Sequence, residues 1–324
     1  MNRVRLHHVT EFEYDGPVSE SYNEVHLQPQ DDEAQHCIGF RLRTTPATAP
    51  SASRDYFGNW VHRFNIVQKH RRLRVEAEST VMVQEPSPLP EQGIPLAAVD
   101  RQREALLDAH YDFLVPSTYV PTPAGVAPLL RAVEQASGGG AVGFVHAATA
   151  LVHDNFRYEK GSTHVHSSVL DVLEAGAGVC QDFSHLLIAL ARSRGLPARY
   201  VSGYLAPRKP TDAVASLEQV IGGQASHAWV EVLVPDVGWL GVDPTLGVPA
   251  SDRHIRVAYG RDYGDVAPVR GVYRGQAGQR LSVDVRVRPA VDDDGCEHVR
   301  ETVIRAEPEP PPEALPQQQQ QQQQ

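Results

Sequence analysis

The sequence predicts an α+β protein in which a β-rich, sandwich-like N-terminal domain precedes a core of helices packed on an antiparallel sheet. Three observations lead there. Apolar and polar residues alternate with period two from residue 3 to about residue 83, helical spacing takes over between residues 97 and 193, and strand-like runs return from residue 198. At 324 residues, 41% hydrophobic and 22% charged, the chain has the balance of a globular protein with a core of useful size.

In the first segment, VRLHHVTEFEY, EVHL, HCIGFRLRT, NWVHRFNIV and RLRVEAESTVMV each read as half-buried strands, giving a sheet or sandwich of about five or more. Gly58-Asn59 suits a hairpin turn, and Lys69-His70 is expected to turn the next. The proline-rich stretch EPSPLPEQGIP closes this domain at 1–90. Helical character at 97–110 and 125–136, around a proline-containing loop, makes 91–140 a helical connection. Residues 141–266 form the core: helices at 142–155, 167–174 and 180–193, then strands at 198–205, 227–234 and 239–242. RLSVDVRVRP and EHVRETVIRA flank VDDDG as an expected hairpin extension over 267–306. The tail at 307–324, EPEPPPEALP and eight glutamines, lacks the apolar residues that offset ordering entropy and is expected to be disordered.

Thirty basic against forty acidic residues give a net charge of −10, which disfavours nucleic acid as a partner. Cys37, Cys180 and Cys296 are far apart with no CxxC pair, the pattern of a reducing compartment. The alternating N-terminus has no apolar stretch for a signal peptide, and no run approaches membrane-spanning length. The expectation is a cytoplasmic protein without a membrane partner.

GAGVCQDFSHLLIALARSRGLPARY carries most of the chemistry. Phe183, Leu186, Leu187, Leu190 and Ala191 recur at helical spacing and give one apolar face, while Gly195 and Pro197 stop the helix. Cys180 therefore sits in the first turn of a core-anchored helix, behind a glycine-rich approach expected to be flexible. A helix N-terminus and a histidine partner favour a thiolate, and the exposed N–H groups there can stabilise an oxyanion. Asp182 in the same turn opposes a thiolate, so its side chain is expected to point away from the sulfur. Cys37 and Cys296, on alternating strand patterns, read as structural.

A thiol nucleophile needs a base, and the base an orienter. His227 starts the strand HAWVEVLV, Pro235-Asp236-Val237-Gly238 turns it, and Asp243 ends the returning strand WLGVD. The 16-residue separation places 227 and 243 roughly opposite each other on one hairpin. Trp229 and Trp239 read as hairpin packing.

These segments, with GRDYGDV at 260–266, resemble the transglutaminase-like superfamily, and HHVTEFEYDGPVSESYNEVHLQPQ and DYFGNWVHRFNI resemble the β-rich region preceding that domain in bacteria. The resemblance runs to about residue 305. It implies a papain-like/transglutaminase-like fold with Cys180 as nucleophile, His227 as base and acid, and Asp243 as orienter. A peptide or protein amide would form a thioacyl-enzyme, released by water (peptidase or amidase) or by an amine (protein-glutamine γ-glutamyltransferase type). A non-catalytic peptide-binding module on the same fold is the third reading. Papain itself is disfavoured: Glu174 stands where papain-type enzymes carry a glutamine, and the Cys-to-His spacing of 47 falls short of their roughly 130. No cofactor is implied and no metal expected. VDDDG lacks calcium-loop spacing, and His7-His8 and His164-x-His166 have no nearby third ligand.

Overall fold

The computed structural model describes residues 2–86, 93–121, 124–163, 167–207 and 226–290. The VDDDG turn, EHVRETVIRA, the glutamine tail, Cys296 and the His164/His166 pair lie outside the described residues.

One long strand, β1 (Asn2–Val25), organises the N-terminal region. Two strands were expected here, but the chain runs through Gly16-Pro17 without leaving the sheet. Its pairing slips between Glu13 and Tyr22, where Glu20 takes a positive φ of 49°. The strand bends there and serves two sets of partners. Its first half pairs with β5 (His70–Val83) on one side and β14 (Gln279–Pro289) on the other. Its second half pairs with β4 (Trp60–Ile66) and β13 (Val269–Arg274). β2 (Gln35–Thr45) lies beyond β5, and β3 (Ser51–Arg54) beyond β4. A core of Val18, Val25, Phe64, Ile66, Leu73 and Val75 draws on both halves.

Gly58-Asn59 does turn β3 into β4, with Gly58 at φ 85° and Asp55 Oδ1 accepting from the Asn59 N–H. Lys69-His70 does not turn a hairpin: β4 and β5 pair with different halves of β1 and not with each other. Residues 269–289 are likewise strands on β1, so what was read as an extension completes the N-terminal sheet.

Past the proline-rich junction, the single helix expected over 97–110 is two, α1 (Leu96–Arg101) and α2 (Arg103–His110), broken at Gln102. The core follows with α3 (Ala127–Ala136), α4 (Ala141–Asn155), α5 (Val169–Ala175) and α6 (Cys180–Ser193). Its sheet has the order β11-β10-β9-β8-β12, formed by Val248–Pro249, Gly238–Asp243, His227–Val234, Ala198–Leu205 and His254–Gly260. A short parallel pair, β6 (Arg157–Tyr158) with β7 (Ala177–Gly178), and a final turn of helix, α7 (Tyr263–Val266), complete it.

α6 is the centre of the core. One apolar face was expected, yet every residue from Asp182 to Ala191 is buried. The reason is two-sided packing: α3, α4 and α5 cover one side, and β8 and β9 the other. Leu186, Leu187, Ile188 and Leu190 are fully enclosed, each burial contributing about 1.5–3 kcal/mol. Gly195, at φ 84°, ends the helix, and the Leu196 N–H closes back on the Ala191 carbonyl at 3.0 Å.

The N-terminal region caps the outer edge of β12. Gln35 Nε2 donates to the Arg256 carbonyl and its Oε1 accepts from the Arg256 N–H, at 2.7 and 2.9 Å. Asn59 does the same for Tyr259, at 2.8 and 2.9 Å. Both amide side chains are buried. An unpaired strand edge costs backbone hydrogen bonds and invites foreign strands, and these two residues close it.

Candidate active site

Cys180 is the first residue of α6, half-buried and unpaired, packed against the main core. The approach Ala175-Gly176-Ala177-Gly178, expected to be flexible, is built into secondary structure. Gly176, at φ 59°, terminates α5, and Ala177–Gly178 form β7 against β6. Gly178 is required by packing, since a Cβ there would lie 2.8 Å from the Asp182 Cβ. Asp182 turns back along the helix: its Oδ2 accepts from the Val179 N–H at 2.8 Å and from Thr163 Oγ1 at 2.5 Å. Burial raises its pKa, and those two donors only partly offset this. The carboxylate is thus engaged at the helix start, where it holds the backbone that carries Cys180.

His227 opens β9, and Asp243 closes β10. The turn is where the sequence placed it, with Asp236 at φ 67° and Gly238 at φ 102°. Register differs by two residues, because Gly238 pairs with Val234 and Val242 with Val230. Asp243 is therefore a diagonal neighbour of His227 on the same sheet face, still within side-chain reach. His227 Nε2 donates to Asp243 Oδ2 at 2.7 Å. The ring's other nitrogen, Nδ1, is buried without a protein hydrogen bond among the described residues, and Cys180 lies beside the ring within reach of it. The structure thus brings the three expected residues together in the order sulfur, imidazole, carboxylate.

Asp243 is fully buried, and its four acceptor positions are filled. Oδ1 accepts from the backbone N–H groups of Thr245 and Leu246 at 2.9 and 3.1 Å. Oδ2 accepts from His227 and also from His254 Nε2 at 3.1 Å. Burial opposes its charge, but the two histidines outweigh this and hold the carboxyl well below the usual carboxylate range. Burial likewise opposes the His227 imidazolium. The Asp243 charge and hydrogen bond, with Cys180 added, overcome that and raise the ring to about 10.

His254 was missed in the sequence. It begins β12, two strands away from β9 on the far side of β8. Its side chain meets Asp243 over the sheet face that carries Trp229, whose ring lies 5.2 Å from His254 and 6.2 Å from His227. Trp229 has room because residue 203 is glycine: a Cβ there would fall 2.1 Å from the Ile255 carbonyl oxygen and 2.6 Å from the indole. Gly203→Ala is expected to destabilise the protein by about 1–3 kcal/mol or more through overpacking, read by chemical denaturation.

The atoms of His227, Asp243 and His254 are close enough to suggest a metal site. The donor chemistry argues otherwise. Ser251 N–H donates to His254 Nδ1 at 3.0 Å, so the ring proton is on Nε2, which faces Asp243 as a donor with no lone pair to offer. His7, expected to lack a nearby third ligand, has both Glu76 and Glu78 beside it, its ring paired with Glu76 at 2.7 Å, while His8 is buried between Tyr204 and Thr10. Trp239, expected to pack within the hairpin, meets groups outside it: its ring lies 4.1 Å from the Arg199 guanidinium of β8, which pairs with buried Glu231, and 5.5 Å from Phe113. Cys37 is a half-buried thiol whose pKa burial and Asp31 push up to about 11. No helix among the described residues is long and apolar enough to cross a membrane.

The bacterial transglutaminase-like N-terminal region matches residues 4–82, and the transglutaminase-like superfamily core matches residues 111–244. An uncharacterized protein of Mycobacterium leprae is 36% identical over 287 residues, covering 89% of this chain and 99% of its own. One of Mycobacterium tuberculosis is 36% identical over 298 residues, covering 89% and 93%. A Pseudomonas aeruginosa protein-glutamine gamma-glutamyltransferase is 33% identical over 78 residues, 24% of this chain and 11% of that one. A solved structure of a candidate cysteine protease from Cytophaga hutchinsonii shares the fold at TM-score 0.67 and 23% identity, covering 94% and 96% of the two chains. The chain belongs to the transglutaminase-like superfamily, with the bacterial N-terminal region in front of its core.

Proposed function

We propose that the protein is a thiol-dependent hydrolase that cleaves peptide, isopeptide or related amide bonds through a thioacyl intermediate on Cys180. The single observation that carries this reading is the buried His227, bonded through Nε2 to Asp243 at 2.7 Å, with Nδ1 left without a hydrogen bond among the described residues and Cys180 beside the ring. The imidazolium that forms when His227 takes the thiol proton is stabilised in place by Asp243, which keeps its own charge. Cys180 Sγ then attacks the amide carbonyl carbon, forming the S–C bond as the C=O π bond breaks and its electron pair collects on oxygen. The backbone N–H of Cys180, at the open end of α6, is the donor suited to that oxyanion. Collapse breaks the C–N bond as His227 Nδ1 gives its proton to the departing amine. Water, deprotonated by the same nitrogen, releases the acid and restores the thiol.

The cytoplasm is the compartment we propose, because a free thiol at this site has to stay reduced. Incubation of the full chain with peptides and γ-glutamyl amides, with and without added primary amine, tests the reaction by mass spectrometry. An acyl adduct on Cys180 and a water-derived acid product are expected. An amide product formed only with amine would replace hydrolysis by acyl transfer. Absence of any adduct, together with iodoacetamide labelling of Cys180 no faster than of Cys37 at pH 6, would sink both and leave a binding module.

A further inference from the structure

We infer that His254 is a positioning residue of this site: a second, tautomer-locked donor that shares Asp243 Oδ2 with His227 and limits how hard that oxygen holds the His227 ring. The inference rests on the reading above, in which His227 and Asp243 serve Cys180.

Ser251 locks the His254 ring. Ser251 N–H reaches His254 Nδ1 at 3.0 Å, and the His254 N–H returns to the Ser251 carbonyl at 2.9 Å. A nitrogen that accepts a hydrogen bond carries no proton, so the ring hydrogen is on Nε2 and points at Asp243 Oδ2. The ring is buried against Trp229 and cannot turn away. Asp243 in turn is pinned through Oδ1 by Thr245 and Leu246. Its carboxylate therefore has one oxygen held by backbone and the other divided between two imidazoles.

That division has a chemical use. The titratable groups facing Asp243 are His227 and His254, and those facing His227 are Asp243 and Cys180. A carboxylate oxygen bound by His227 alone concentrates its charge on that one N–H. It would stabilise the imidazolium further and slow the step in which the ring gives its proton to the leaving amine. The His254 donor draws off part of the charge and keeps His227 able to serve as acid.

Two substitutions separate this role from space-filling. His254→Gln can place an amide N–H where Nε2 stood, whereas His254→Leu fills similar space without a donor. In the full chain, His254→Leu is expected to lower kcat by about 10- to 100-fold with KM unchanged, a part of the roughly 10^2- to 10^4-fold that general acid–base catalysis contributes. Its low-field proton resonance from the His227–Asp243 hydrogen bond should move further downfield. His254→Gln, which keeps a donor, should retain most of the wild-type kcat with the resonance unmoved. Equal kcat and an unmoved resonance in both variants overturn the inference while leaving the triad reading intact. If His254→Leu does not fold by circular dichroism, Ser251→Pro removes both Ser251 groups that meet His254 Nδ1, the N–H at 3.0 Å and the hydroxyl at 3.4 Å. A smaller loss in kcat with the same spectral shift supports the inference, and no change in either overturns it. A wild-type Cys180 that alkylates no faster than Cys37 removes the reading beneath, and this inference with it.

Discussion

Cys180→Ala is expected to abolish turnover while leaving the fold in place. The thiol is half-buried at the first position of α6, and alanine fits the same helix start without a void large enough to loosen the core. Loss of a nucleophile typically costs on the order of 10^4- to 10^6-fold in rate, whereas removing one buried sulfur costs about 1 kcal/mol or less of stability. Cys37→Ala is the matched control. That thiol, raised to about 11 by burial and by Asp31, donates only weakly to the Gly39 carbonyl at 3.6 Å. Its removal should leave kcat within about twofold. Initial rates and thermal melts on both variants check this, and an active, folded Cys180→Ala protein would refute the assignment of the nucleophile.

Asp243→Asn should produce the second large effect, and its signature is a pH profile. His227 is raised to about 10, so its ion pair with Asp243 is fully present below the ordinary histidine value of about 6.5 and is lost as pH rises through about 10. Asp243 is depressed, so its contribution is present above the ordinary carboxylate value of about 3.9 and is lost as pH falls through its lower folded value. Activity and site stability therefore share a window from weakly acidic pH to near pH 10. Asparagine removes the charge that outweighs the burial of His227. The imidazolium is then disfavoured, and the alkaline limb of kcat/KM should fall below pH 7. At pH 8 the rate should drop on the order of 10^4-fold, the scale seen when a triad loses its carboxylate. An alkaline limb left in place would show that another group sets the basicity of His227.

The site was legible in the sequence where its determinants are local. α6 could be bounded to the residue because Gly195 and Pro197 supply its stop. The hairpin carrying His227 and Asp243 could be drawn because Pro235-Asp236-Val237-Gly238 is a turn in its own right, although its register, set by packing, came out two residues away. His254 gave no local sign. Its importance comes from a strand order that puts β12 beside β8, and from Gly203, whose missing side chain lets Trp229 stand between two histidines. The N-terminal sheet was legible strand by strand, as the strict alternation of Leu73, Val75, Ala77, Val81 and Val83 in β5 illustrates. Its closure by β13 and β14 was not, since pairing between residues 4 and 289 leaves no trace in either segment alone.

Gln35 and Asn59, which close the rim of β12, bear on how this chain can be divided. A core severed at the proline-rich junction would keep its sulfur, imidazole and carboxylate but bare two residues' worth of backbone donors and acceptors along a terminal strand. Such a rim is a template for polymerisation with its own copies. The leading region shields that rim, and fusions or truncations that separate the two should be judged first by whether they stay dispersed.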